Sequence, residues 1–193
     1  MNGSYLGPKL TTKEWCTAAL EGSTAVRQNG KLVTYNYAGL GRSMQVNCNR
    51  YHKYSQSGRV RFKVASGPYG DGSSSKSKKY ILFPYRTIAA DRYRFPLGTL
   101  LYIPEAKGIK INLKSGKQFT HDGYFLVGDR GGAVAGSHID FFQGFEPVPG
   151  FGKIAKSTSS RKFKAYEVNN ERIRRLLERA HMKSSGLLKS GDY

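Results

Sequence analysis

The chain has 193 residues, with 32 Lys+Arg against 13 Asp+Glu and a net charge of +19. That length holds one domain or two small ones, and a hydrophobic content of 38% is enough for a core. No apolar run reaches the roughly 18 residues a membrane-spanning helix needs. The start, MNGSYLGPKLTTKEW, has neither the apolar stretch of a signal peptide nor the Arg-rich pattern of a transit peptide, so neither is expected.

Thr11-Thr12-Lys13-Glu14 fits a capping box and predicts a short helix through Trp15, Ala18, Ala19 and Leu20, closed by Gly22. The turn Asn29-Gly30 introduces a strand over Lys31–Tyr37. Arg59–Ala65 alternates basic and apolar residues and reads as a strand with one wet, basic face. Ser66–Lys79 is Gly, Ser and Lys with little to bury, and is expected to be a loop. Short strands follow at Tyr80–Phe83, Thr87–Ala90 and Thr99–Ile103, with Pro84 and Pro96 at turns. A polar loop around Lys107–Gln118 leads to strands at Gly123–Val127, His138–Phe142 and Lys162–Val168. The tail is expected to be an amphipathic helix, N-capped by Asn169 or Asn170 and carrying Ile173, Leu176, Leu177 and Ala180 on its apolar face.

Abundant Gly, Tyr and Phe in short β-branched runs make this a mainly β chain with helices at its two ends. The expected organisation is an N-terminal segment over 1–65, a loop over 66–79, a β core over 80–168 and a helix and tail over 169–193.

Only Glu14 and Glu21 precede Asp71, so the first third is nearly all basic and is drawn to polyanions. Nucleic acid and the anionic polymers of a bacterial envelope both qualify. No RNP sequence, zinc-finger spacing or helix-turn-helix accompanies the charge, so no specific nucleic-acid partner is expected. Cys16 and Cys48 are too few for a zinc site; they form either one disulfide or two buried thiols.

Three aspartates stand out because acidic residues are scarce. Asp129 lies in Gly128-Asp129-Arg130-Gly131-Gly132, Asp140 in the apolar run Ile139-Asp140-Phe141-Phe142, and Asp91 after Ile88-Ala89-Ala90. Strand alternation puts His138, Asp140 and Phe142 on one side. Apolar neighbours are expected to desolvate Asp140 and raise its pKa, as a general acid requires, and a second carboxylate nearby would raise it further. Asp122, in His121-Asp122-Gly123, reads as a turn residue. No EF-hand spacing supports a calcium site, and no Ser or Cys stands in a nucleophile motif, so neither metal nor cofactor is expected. An aspartate beside glycine is also the ordinary composition of a turn, and that bland reading competes at Asp129.

The ordered motifs Ile88-Ala89-Ala90-Asp91, Pro96-Leu97-Gly98-Thr99, Gly128–Gly136 and Ile139–Gly144 resemble the three-aspartate (3D) domain, found also in the membrane-bound lytic transglycosylase A family. The resemblance covers roughly residues 85–145. It implies a six-stranded double-psi β-barrel that cleaves the β-1,4 bond between N-acetylmuramic acid and N-acetylglucosamine in peptidoglycan, leaving a 1,6-anhydromuramic end. It implies that Asp140 is the acid–base residue, that Asp129 and Asp91 support it, and that Thr99, Gly131, Gly132, His138 and Gln143 bind substrate. Arg130 departs from the pattern, in which a small or apolar residue is common.

Such an enzyme acts in the periplasm, outside the cell or in the wall, on glycan strands and near anionic envelope polymers. A phage lysin or a delivered toxin fits equally. The competing reading is a non-catalytic, expansin-like glycan-binding barrel, since one fold serves both uses.

Overall fold

A computed structural model describes residues 4–182 except 114, 115, 117, 133, 146 and 159. It divides into two compact units, one ending at Asp71 and one beginning at Gly72.

In the first unit, helix α1 (Thr12–Glu21) starts at the expected capping box: the Thr11 hydroxyl accepts the Glu14 N–H, and the Glu14 carboxylate accepts the Thr11 N–H. Gly22, in the left-handed region at φ 77°, ends it. Strands β1 (Ser23–Gln28) and β2 (Lys31–Leu40) form a hairpin around Asn29-Gly30, both with positive φ as a two-residue type I′ turn requires. β1 is an element that the sequence reading left out. β3 (Val60–Val64) adds antiparallel to β2. Cys16 and Cys48, left open between two states, are joined in a disulfide that ties α1 to the segment between β2 and β3.

The second unit carries a five-stranded sheet in the order β11-β6-β10-β7-β12. Its members are β6 (Thr87–Ala90), β7 (Leu100–Tyr102), β10 (Tyr124–Asp129), β11 (Ile139–Phe141) and β12 (Tyr166–Glu167). β6 and β10 run parallel, and every other neighbouring pair is antiparallel. Two hairpins stand beside the sheet: β4 (Asp71–Ser74) with β5 (Lys79–Ile81), and β8 (Lys110–Asn112) with β9 (Gln118–Thr120). β4 and β8 arise in stretches read from sequence as loops and β9 at the edge of one, whereas β5 overlaps the strand expected at Tyr80–Phe83. Strands of three or four residues are too short to show a period.

The mainly β character agrees with expectation. No sheet closes on itself among the described residues: the five-stranded sheet ends at β11 and β12, and most of its strands are only two to four residues long.

The core gathers Ile88, Leu101, Phe125, Val127 and Ile139 from the sheet with Tyr85, Ile103, Ile111 and Phe151 from its flanks. Each such side chain contributes roughly 1.5–3 kcal/mol by leaving water. His121, next to Asp122 in sequence, is buried beside this core. Its ring stacks on Phe125 at 4.5 Å, donates from Nε2 to the Tyr85 carbonyl at 2.7 Å and accepts the Gly123 N–H at Nδ1. Burial pulls its pKa down to about 4, so the ring is neutral.

The tail helix α3 (Glu171–His181) is N-capped by Asn170, whose side chain accepts the Ile173 N–H. Its last residue, His181, is fully buried. Nδ1 donates to the Leu177 carbonyl, so Nε2 accepts the Thr87 hydroxyl at 2.8 Å, and Thr87 Oγ1 in turn accepts the Phe83 N–H. This chain of bonds anchors α3 to β6, the central strand of the site. Among the described residues no helix is long and apolar enough to cross a membrane.

Candidate active site

Strand register builds the site. Asp140 on β11 pairs with Ala89 on β6, and Asp129 on β10 pairs with the same Ala89 from the other side. Paired residues share a face, so Asp140, Ala89 and Asp129 form one row across the sheet. The adjacent row, Phe141, Ile88 and Val127, faces the core. Two strand spacings separate the two aspartates, about 10 Å between Cα atoms.

A bulge creates this row. Val127 pairs with Ile88 and Asp129 with Ala89, so Gly128 is an extra residue on β10. Without it Asp129 would stand opposite Ala90 and point into the core. Gly128 is closely packed: a Cβ there would lie 3.0 Å from Thr87 Cγ2 and 3.3 Å from the His181 ring, and both would have to give way.

The two carboxyl groups occupy opposite environments. Asp140 is open, its side chain 59% exposed, with His138 Nε2 2.9 Å from Oδ1. The desolvation expected at Asp140 is therefore not found. Its apolar sequence neighbours, Ile139 and Phe141, turn to the other face of β11. Desolvation falls on the half-buried Asp129 instead. Burial raises its pKa, against hydrogen bonds from the Arg130 N–H, the Ser73 hydroxyl at 2.9 Å and the Ser73 N–H.

Asp91 follows β6 directly. One carboxylate oxygen accepts the Tyr93 N–H at 2.8 Å and the other the Gly136 N–H at 2.7 Å. These bonds, with Arg92 and Arg94 nearby, hold its carboxyl below the usual range. Asp91 thus pins the loop between β10 and β11 to the end of β6. Asp122 has the turn role read from sequence: it accepts the Tyr124 N–H and pairs with Arg86, and these outweigh partial burial to keep its pKa low.

Among the expected substrate-binding residues, Gly131 and Gly132 open the β10–β11 loop, and His138 stands beside Asp140. A Cβ on Gly131 would lie 2.5 Å from Val134 Cγ2, so the loop needs glycine there. Gln143 lies half-buried just past β11. Thr99 is elsewhere: its carbonyl accepts the Val127 N–H, which puts it in the core-facing row beyond β10. Arg130 is exposed and makes no ion pair with a described carboxylate. Ser73 was missed by sequence reasoning. It sits in the Ser-rich stretch read as a loop, which instead forms β4 and lies against Asp129. Among the described residues no three His, Cys, Asp or Glu side chains are grouped to share a metal ion.

Residues 86–159, which contain all three aspartates, match the model of the 3D domain family. No curated protein sequence matches the chain. Among solved structures the chain is similar to the Escherichia coli lytic transglycosylase MltA with bound chitohexaose, at 19% identity and a TM-score of 0.41, over 67% of this chain and 46% of that one. It is similar to LtgG, a lytic transglycosylase of Burkholderia pseudomallei, at 18% identity and a TM-score of 0.34, over 78% of this chain and 50% of that one. The aligned regions thus span about half the length of these enzymes.

Proposed function

We propose that this chain is a peptidoglycan lytic transglycosylase in which Asp140 is the acid–base group. The observation that carries this is the Asp129–Ala89–Asp140 row within a 3D domain, with one carboxyl open to solvent and the other desolvated. Ala89, with its single methyl group, is the residue between the two aspartates in this row.

In the proposed step Asp140 gives its proton to the glycosidic oxygen as the bond to the anomeric carbon of the muramic sugar breaks. The sugar's own C6 hydroxyl then bonds to that carbon and returns a proton to Asp140. One C–O bond is lost, one is formed, and the carboxyl ends as it began. Ordinary glycosidases bring a second carboxylate and a water; here an intramolecular hydroxyl replaces the water and gains from proximity. His138, against Asp140 Oδ1, orients the carboxyl. Asp129, fixed by Ser73 and the Arg130 N–H, holds a sugar hydroxyl on the far side of the row. Asp91 keeps the glycine loop in place.

The double-psi barrel belongs to the same proposal. The parallel β6–β10 pair with antiparallel strands on both flanks supports it. The proposed workplace is the envelope or the extracellular space. The Cys16–Cys48 disulfide favours an oxidising compartment, and the charge of +19 favours an anionic wall.

The exposure of Asp140 favours a second reading, an expansin-like barrel that binds glycan without cutting it. Digestion of purified sacculi, with mass spectrometry of the products, separates the two. Wild-type protein is expected to leave 1,6-anhydro ends and Asp140→Asn none. Binding without new ends would establish the binder. Water-terminated reducing ends would make it a hydrolase and end the proposed mechanism.

A further inference from the structure

A cleft of about 510 Å³ lies between β8 with the residues before it and the stretch from Pro149 to Phe163. Its volume is within the range of ligand-binding clefts. It is separate from the aspartate row: Phe163 in its wall meets Phe141 at 5.3 Å, on the face of β11 opposite Asp140.

Four cations converge on this concavity, Lys110, Lys153, Arg161 and Lys162, against one carboxylate, Glu105. Glu105 Oε1 is already engaged by the Lys164 N–H at 3.0 Å, and Arg161 spends one N–H on the Lys156 carbonyl. The ammonium groups of the three lysines have no hydrogen bond or ion pair among the described residues. Like charges gathered around a cleft repel one another, and an anion bound there relieves the repulsion.

The chemistry of the lining narrows the anion. Lysine ammonium groups are compact point charges with rotatable donors, suited to phosphate oxygens. The remaining wall is largely aliphatic, from Ile109 and Ile154, and suits the carbon backbone between charges. Single-stranded nucleic acids are held on aromatic stacking platforms. Here Phe163 is inclined against Phe141 and packs on the core. The disulfide also favours a compartment where wall polymers, rather than nucleic acids, are the abundant phosphodiesters.

We propose that this cleft binds a phosphate-bearing polyol chain of the cell envelope. It would tether the protein to the wall independently of the aspartate row, so its success or failure is distinct from that of the transglycosylase reading.

The test uses the full chain and isothermal titration with a poly(glycerol phosphate) oligomer at several salt concentrations. The double variant Lys110→Gln/Lys153→Gln is expected to bind at least about tenfold more weakly, with the salt slope reduced by about one per lysine. Lys13→Gln/Lys31→Gln removes the same charge from exposed sites in the first unit and is expected to change affinity by less than about twofold. Thermal melts check that both variants fold. Equal losses in the two double variants would overturn the proposal in favour of a diffuse field. Undiminished binding by the cleft variant would overturn it outright. An oligonucleotide of equal phosphate count that binds more tightly, and is weakened by the cleft variant, would assign the cleft to nucleic acid instead.

Discussion

The Ser73 hydroxyl donates to Asp129 Oδ1 at 2.9 Å across 56 positions of sequence. This bond joins the β4–β5 hairpin to the last residue of β10, where Asp129 stands in one row with Ala89 and Asp140. Asp129 is the desolvated carboxyl of that row, and Ser73 supplies both a hydroxyl and a backbone N–H to its charged form.

Ser73→Ala therefore removes a stabiliser of the Asp129 anion. Its pKa, already raised by burial, is expected to rise further, and the limb of the pH–rate profile that reports Asp129 ionisation should move to higher pH. Ser73→Thr keeps a hydroxyl and should restore the profile. Measurement of kcat/KM against pH for the three proteins checks this. An unchanged limb in Ser73→Ala would mean that Asp129 does not titrate in catalysis.

Asp140→Asn is expected to lower turnover on sacculi by 10²–10⁴-fold, the usual loss when a general acid is removed. The side chain is 59% exposed and its only described polar partner is His138, so the melting temperature should barely move. Retention of more than about a tenth of wild-type activity would remove Asp140 from the acid's role.

The row itself was only half legible in sequence. The three aspartates announced themselves by scarcity and by their glycine and apolar company, and the structure puts all three at β6 or its neighbours. Which carboxyl is desolvated was not legible, because that depends on which face of the strand Ile139 and Phe141 take and on the extra residue at Gly128. A bulge shifts facing by one position and leaves no period to read. Helices α1 and α3 were legible because caps and amphipathic spacing are local. Ser73 was hidden because it is polar and its partner Asp129 lies 56 positions away, and β4 and the β8–β9 hairpin because their strands are only three or four residues long. The place of Thr99 was not legible for a related reason: its backbone N–H closes the turn on Pro96, while its carbonyl pairs with Val127, outside the aspartate row.

The two buried histidines make stability depend on pH. His121 and His181 both have pKa values pulled down to about 4 by burial, below the ordinary 6.5. Between those values the unfolded chain binds more protons than the folded one, so stability falls as pH drops from about 6.5 to about 4. The loss is on the order of 3 kcal/mol per ring. Urea unfolding at a series of pH values should show this decline, and His181→Gln should flatten part of it. A stability curve flat across that interval would contradict the neutral, buried assignment.

The disulfide closes a loop between Cys16 and Cys48, 32 positions apart. Chain-entropy arguments give about 4 kcal/mol of stabilisation for a loop of that size. Cys16→Ala/Cys48→Ala, or reduction by dithiothreitol, is expected to lower the unfolding free energy of the first unit by about that amount. The aspartate row and its core lie in the second unit, and no residue there is cysteine. Denaturant unfolding with and without reductant measures the difference, and no change would show that the pairing adds nothing to the folded state.

Gly72 stands where β4 crosses the bulge. A Cβ there would lie 2.4 Å from the Gly128 carbonyl oxygen, a backbone atom with no freedom to rotate away. Gly72→Ala must therefore push β4 off β10, at a cost of about 1–3 kcal/mol for overpacking. The displacement also carries Ser73 away from Asp129, so the variant should reproduce the pH-profile shift of Ser73→Ala while Ser73 itself is intact. Tests of Gly72→Ala, Ser73→Ala and the double variant form a cycle. Full additivity would mean that the two act separately; a double variant no worse in pH profile than either single would place them on one path, the approach of the β4 backbone to Gly128 that sets Ser73 against Asp129.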